Sequence, residues 1–269
     1  MSKILEINNL TFSYPEKPLF RGLSLEIEEG KYITIVGNNK SGKTTLMKLI
    51  CGILNSKESI VAGYAYVNHA RIHDNSRFFG VVFSGIDNKF LFDNVYKEMA
   101  FPLENLNIPV PKIEEKILEV AKEFGITKFL DRKIENLTNS EKQELLIAIA
   151  LLHDPKVLLL DNAFSMMNKK TKQKIEKILI ERIERDKLTV ILTTTNLNEI
   201  ISSDYTYVLN NGDIIMEGKP SSILREEKIL NRIGLELPFM IDLSLKLEFY
   251  ELLDDEITDM DRMVDTLWK

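Results

Sequence analysis

Apolar and polar side chains alternate along ILEINNLTFSY (residues 4–14) and again along LSLEIEEG (23–30). A period of two predicts strands with one buried face, and EEG supplies a turn. KYITIVG (31–37) is a short β-rich run that enters a polar, glycine-bearing loop. TTLMKLICGIL (44–54) then predicts a helix with Leu46, Leu49 and Ile50 on its inner face. From about residue 86 to 152 the pattern changes to mainly helical. In PKIEEKILEVAKEFG, Ile113, Ile117, Val120 and Phe124 fall at helical spacing, with Gly125 as a stop. SEKQELLIAIALLHD (140–154) is a second helix with a polar start. A strand at 157–160, a charged amphipathic helix at about 169–186 and a strand LTVILTTT (188–195) follow. YTYVLNNGDIIMEG (205–218) is a hairpin with NNGD at its tip, the favoured chemistry for a tight turn.

Strands alternating with helices predict an α/β fold: a mixed core sheet with N-terminal antiparallel strands and a helical insertion at about 86–152. Residues 1–220 form one domain in this reading. From 221 to 269 the chain reads as a small α-rich region, with amphipathic LPFMIDLSLKLEFYELL followed by acidic DDEITDMDRMVDTLWK. The acidic run reads as a solvated helix face. The chain has 269 residues, 44% hydrophobic and 28% charged, ordinary values for a soluble globular protein. A net charge of −6 argues against wholesale nucleic-acid binding, and no nucleic-acid partner is expected. The single cysteine, Cys51, excludes an internal disulfide framework and fits a reducing compartment. His69, His73 and His153 lack zinc-ligand spacing. The longest strongly apolar run, LLIAIALL (145–152), is far short of the roughly 18–20 residues of a spanning helix. MSKILEINNL carries no signal-peptide core. Work at a membrane therefore requires another chain.

GNNKSGKTT (37–45) satisfies G-x-x-x-x-G-K-[ST] with a strand before it and a helix after it. In such a loop, successive backbone N–H groups and the positive end of the helix surround phosphate oxygens. Gly37, Asn38, Asn39, Lys40, Ser41, Gly42, Lys43, Thr44 and Thr45 are the nucleotide-binding candidates. Lys43 is expected at the β- and γ-phosphates and Thr44 on magnesium. KVLLLDNAFSMMN (156–168) delivers an apolar strand to Asp161, whose buried carboxylate needs a cation. In phosphate-loop proteins such an aspartate holds the magnesium beside the threonine hydroxyl, so Thr44 and Asp161 are the metal candidates.

Several pieces in order carry a resemblance: FSYP (12–15), VVFSGIDNKFLFDNVYKEMAFPLENL (81–106), LTNSEKQELLIAIALLHDPKVLLLDNAFSMMN (137–168) and TVILTTTNLNEI (189–200). The chain resembles the nucleotide-binding subunit of an ABC transporter. It is most similar to the energy-coupling factor (ECF) ATPases that drive uptake of vitamins and metal ions. The resemblance covers nearly the whole chain and includes 221–269 as a C-terminal extension concerned with dimerisation. It implies ATP and Mg²⁺ as cofactors, with Tyr14 stacking on adenine. It also implies a second ATPase subunit, placed head to tail so that each phosphate loop faces the other chain's signature. A transmembrane coupling subunit, and through it a substrate-binding membrane protein, complete the implied assembly on the cytosolic membrane face.

The departures from the family's pattern share a direction. Asn162 stands where a carboxylate polarises the attacking water, and an amide cannot take the proton. Thr195 replaces the switch histidine, Ser84 the glutamine that joins magnesium to the transporter interface, and Asn168 a dimer-contact aspartate. The signature LSGGQ reads Leu137, Thr138, Asn139, Ser140, Glu141, and Lys40 stands where glycine is usual. The groups that hold Mg-ATP remain, and the groups that cleave it are replaced. The expectation is an asymmetric heterodimer: this chain binds ATP and hydrolyses poorly, beside a catalytically intact partner. In the partner's pocket it contributes Thr138, Ser140 and a helix start, weakened by the charge of Glu141. Asp87, Asp93 and Glu98 are expected to line the groove that receives the membrane subunit, the alternative being that they are ordinary solvated carboxylates. The alternative reading is an ATP-gated, ABC-like regulatory protein that does not transport. A soluble P-loop kinase or a DNA-repair ATPase fits less well: the signature-like helix argues against the first, and the short insertion against the second.

Overall fold

The computed structural model describes residues 2–15, 17–54, 60–67, 70–71, 78–85, 90–250, 253 and 260–267. Strands β1 (Lys3–Tyr14), β2 (Lys17–Glu28), β4 (Ile60–Val67) and β5 (Ala70–Arg71) form an antiparallel sheet in the order β2-β1-β4-β5. The second sheet comprises β3 (Tyr32–Val36), β6 (Phe79–Val82), β7 (Val157–Asp161), β8 (Thr189–Thr194), β9 (Tyr205–Asn210) and β10 (Asp213–Gly218). Its order is β10-β9-β3-β8-β7-β6, parallel except for β10.

The burial patterns explain this division. β2 alternates buried and exposed residues over Leu23–Glu28, as a strand with one wet face must. β3, β7 and β8 are buried at every position, the signature of central parallel strands covered on both faces. Helix α1 (Lys43–Ile50) lies in one cluster, where Leu46, Met47 and Ile50 meet Phe12, Phe20 and Ile27 of the antiparallel sheet and Ile35, Leu159 and Ile191 of the parallel one. A second cluster covers the opposite face with α2 (Val95–Asn105), α3 (Val110–Glu123), α4 (Asn139–Leu151) and α5 (Lys169–Asp186). The C-terminal helices are α6 (Pro220–Leu224), α7 (Glu227–Arg232), α8 (Phe239–Phe249) and α9 (Met260–Leu267).

Three expectations change. The helix after the phosphate loop stops at Ile50 rather than running to Leu54, because Gly52 turns into the left-handed region (φ 74). Its fully buried side chains include Met47, while Leu49 is only partly covered. Glu98 is buried within α2 and accepts N–H bonds from Leu91 (3.0 Å) and Phe92 (2.8 Å), so it folds its own loop rather than facing a partner. Asp93 is exposed, and Asp87 lies outside the described residues, as do His69 and His73.

Candidate functional site

Parallel strands bring their carboxyl ends to one edge of the sheet, the usual place for a ligand crevice. Here Val36 pairs with Thr194 and Asp161 with Thr193, so the segments that follow β3, β7 and β8 emerge side by side. The loop after β3 is held by close backbone approach. A Cβ at Gly37 would lie 2.1 Å from the carbonyl oxygen of Leu209, and Gly212, at the β9–β10 tip, donates its N–H to Ser41 O at 2.9 Å. The hairpin thus buttresses the loop. Gly42 (φ 113) starts α1 against the ring of Phe20. Lys40 holds φ 67, a left-handed conformation that costs a side-chain-bearing residue roughly 1–2 kcal/mol.

Lys43 is 8% exposed. Its ammonium donates to Gly37 O (2.6 Å), Asn38 O (2.8 Å) and Ser41 Oγ (3.3 Å). Burial pulls its pKa down to about 8, with the charge of Asp161 opposing the shift. An ammonium surrounded mainly by carbonyls remains short of negative charge, which suits a phosphate. Beside it is a cavity of about 340 Å³ lined by Tyr14, Lys17, Leu19, Asn39, Lys40, Gly42, Lys43, Thr44, Thr45, Ser84, Asp161, Asn162 and Thr195. Gly37, Asn38 and Ser41 lie behind this lining and shape the loop from there. Lys17 and Leu19 are additions that no motif marks. A larger cavity of about 750 Å³ lies away from this chemistry; within its lining Lys3 pairs with Glu26 and Lys31 with Asp204.

Asp161 is 2% exposed and is met by hydroxyls. Thr193 Oγ1 donates to Oδ1 at 2.6 Å, while Thr44 (2.9 Å) and Ser84 (3.3 Å) donate to Oδ2. A carboxylate beside hydroxyls is an all-oxygen set of the kind magnesium takes. Thr44 and Asp161 are therefore the residues that would hold the ion. Tyr14 is exposed, its ring edge-on to Phe12 and its hydroxyl 3.0 Å from Thr45 Oγ1, which fixes it at the mouth of the cavity. Asn162 has φ 51, which asparagine tolerates better than most residues, and its N–H bonds Thr193 O at 2.9 Å. Thr195 is exposed at the rim. The preceding Thr194 donates to the buried Glu199 at 2.6 Å, and Lys172 holds the other oxygen of Glu199 at 3.1 Å.

Leu137, Thr138, Asn139, Ser140 and Glu141 do not line this cavity. They form the start of α4, which is capped from within. Thr138 Oγ1 accepts the N–H of Glu141 at 3.3 Å, and the Glu141 carboxylate takes the N–H and hydroxyl of Thr138 at 2.8 Å each. The first of these bonds to the carboxylate holds Glu141 below its usual pKa. Ser140 Oγ accepts from the side chain (3.1 Å) and backbone (3.3 Å) of Asn168, which in turn caps α5. The hydroxyls of Thr138 and Ser140 are thus both engaged inside the chain.

Strand, phosphate loop, helix and a carboxylate at the end of a neighbouring parallel strand define a P-loop fold of the kind that holds nucleotides. The model of the family "ABC transporter" matches residues 20–165. The energy-coupling factor transporter ATP-binding protein EcfA1 of Lactobacillus delbrueckii is 33% identical over 99% of this chain and 97% of its own length. EcfA1 of Mycoplasma capricolum is 32% identical over 98% of this chain, which spans 66% of that longer relative. Among solved structures, cbiO1 of Clostridium perfringens, part of the ABC transporter complex cbiONQ, superposes with a TM-score of 0.76 at 25% identity, covering 88% of this chain and 97% of its own. The chain belongs to the ABC transporter family, and the two relatives named above are ATP-binding proteins of energy-coupling factor transporters. Among the described residues, no helix is long and apolar enough to cross a membrane.

Proposed function

We propose that this chain is the ATP-binding subunit of an ECF-type importer, seated on the cytosolic membrane face and powering uptake of a vitamin or metal ion. One observation carries the reading of its own site: Lys43, Thr44, Asp161 and Tyr14 converge on one cavity whose remaining catalytic positions are Asn162, Thr195 and Ser84. Lys43 supplies charge to the phosphates, and the loop N–H groups orient them. Thr44 and Asp161 hold Mg²⁺, which neutralises phosphate charge when bound. Tyr14 offers an aromatic face to adenine. The amide of Asn162 can orient a water molecule but cannot accept its proton, so the chain's own site binds ATP and hydrolyses it poorly.

The partner in this reading is a second, catalytically intact ATPase subunit. A transmembrane coupling subunit and, through it, a substrate-binding membrane protein complete the complex. Residues 1–220 form the nucleotide-binding domain, with a helical subdomain at about 86–152, and 221–269 contribute to dimerisation. Because Thr138 and Glu141 satisfy each other, this chain offers the partner's pocket a helix start already occupied by its own carboxylate.

The test is nucleotide binding and steady-state Mg-ATP turnover by the purified chain at concentrations that permit dimers. Saturable binding with turnover at background is the expected result. Turnover at the rate of an intact ABC ATPase would overturn the clamp reading. Purification from its own cell without any integral membrane protein would favour the regulatory alternative over transport.

A further inference from the structure

We infer that the C-terminal region is coupled to the occupancy of the phosphate loop through Asn38, a positioning residue. The inference rests on the nucleotide-binding reading of the cavity. Asn38 is the second residue of the loop, and its side-chain amide spans a gap of 195 residues in sequence to donate to the carbonyl of Ile233 at 3.2 Å. Its Oδ1 accepts the N–H of Asn39 at 2.7 Å, which sets the orientation of the amide. On the far side the chain turns at Gly234 (φ 78), where a Cβ would come within 2.8 Å of the same amide nitrogen. A side chain there would strain the backbone and press the tip of Asn38 out of its place.

A count of donors links this contact to the ligand. A lysine ammonium has three N–H donors and no acceptor. In Lys43 all three are in use, on Gly37 O, Asn38 O and Ser41 Oγ. A phosphate oxygen can therefore be engaged only when at least one of these bonds is given up or shared. Two of the three run to loop carbonyls, and the one at Asn38 belongs to the residue tied to Ile233. A ligand that draws the ammonium away from Asn38 O thus acts on the backbone of the residue whose side chain makes the tie to the C-terminal region.

Packing gives the movement somewhere to go. Val36, the last residue of β3 before the loop, is fully buried in a small apolar cluster with Leu197 and Ile200 of the segment after Thr195. Val208 of β9 and, from the C-terminal region, Ile223, Leu224, Leu230, Leu235 and Ile241 complete that cluster. One small core therefore backs both the phosphate loop and the segment after Thr195, and the C-terminal helices form its outer half. Linkage is reciprocal: if nucleotide changes the state of this region, a change in this region must alter nucleotide affinity equally.

The experiment uses the full chain. Hydrogen exchange of residues 228–241 is followed with and without Mg-ATP, in the wild type and in N38A. ATP is expected to change exchange there in the wild type, and N38A is expected to abolish the change. N38A and G234A are each expected to weaken ATP binding by about 5-fold or more, and the double variant to lose much less than the product of the two. G234A is the more telling of the pair, since Gly234 does not line the cavity. The inference is overturned if the wild type binds ATP while exchange at 228–241 is unchanged, or if both variants bind ATP as the wild type does. A wild type that binds no ATP would overturn the nucleotide reading itself, and the inference with it.

Discussion

Lys43 and Asp161 are both buried, but their charges are met differently. Asp161 has hydroxyl donors on both oxygens, whereas Lys43 has mainly carbonyl acceptors. The consequence is a pH signature. Burial lowers the Lys43 pKa from the usual 10.5 to about 8, so its unfavourable effect on folding is complete below pH 8 and is relieved as pH rises toward 10.5. Phosphate favours the charged form, so binding above pH 8 must draw in a proton. ATP affinity is expected to be highest below about pH 8 and to fall above it. Calorimetry in two buffers of different ionisation enthalpy should record the proton uptake. K43M should lose both the uptake and most of the affinity. Asn162 poses a second question at this scale. A general base contributes roughly 10²–10⁴-fold, but a glutamate at φ 51 must adopt a strained backbone that asparagine accepts more readily. N162E is therefore expected to raise phosphate release above background while remaining well below that gain. Full recovery from this one change would show that Thr195 and Ser84 do not limit the rate.

Helix α4 shows how an element can settle what a motif leaves open. LTNSE differs from the family signature, and Glu141 reads as a charge aimed at a neighbouring phosphate. In the folded chain that carboxylate closes a capping box with Thr138. E141A is expected to cost about 0.3–1.5 kcal/mol, lowering the midpoint of thermal unfolding by roughly 1–5 °C for a domain of this size. Because the Thr138 N–H holds its pKa down, Glu141 contributes this stability above the usual carboxylate range and loses it as pH falls through the lowered value. The E141A effect should accordingly fade in acid. A variant whose midpoint matches the wild type at neutral pH would mean that the box adds nothing.

At the scale of the whole molecule, the importer reading requires a surface that meets a membrane subunit. Glu98 is spent on Leu91 and Phe92, which leaves Asp93 as the exposed one of the two described docking candidates. D93K is expected to reduce co-purification of the transmembrane subunit several-fold while leaving ATP binding by the isolated chain intact. Normal assembly of D93K would remove Asp93 from the docking surface. Leu91 lies beside it, 69% exposed, an apolar surface within the same segment.

Local chemistry made much of this protein legible in its sequence. The period of two in residues 4–14, the helical spacing of Ile113, Ile117 and Val120, and the glycine and lysine of GNNKSGKTT express preferences that act over a few residues. β1, β3, β7 to β10, α3, α5 and the phosphate loop stand close to where those preferences put them, whereas β4, β5 and β6 answer to no strand read from the sequence. What the tertiary structure decided involves partners far apart in the chain. Thr193 reaches Asp161 because β7 and β8 pair in one parallel register. Gly212 supports Ser41 because the hairpin tip folds over the loop. Asn38 meets Ile233 because the C-terminal helices close a core begun by Val36. Each of these contacts joins side chains or backbone groups that look unremarkable in isolation. Packing and register alone bring them within hydrogen-bond reach, and neither leaves a periodic or compositional trace in the sequence.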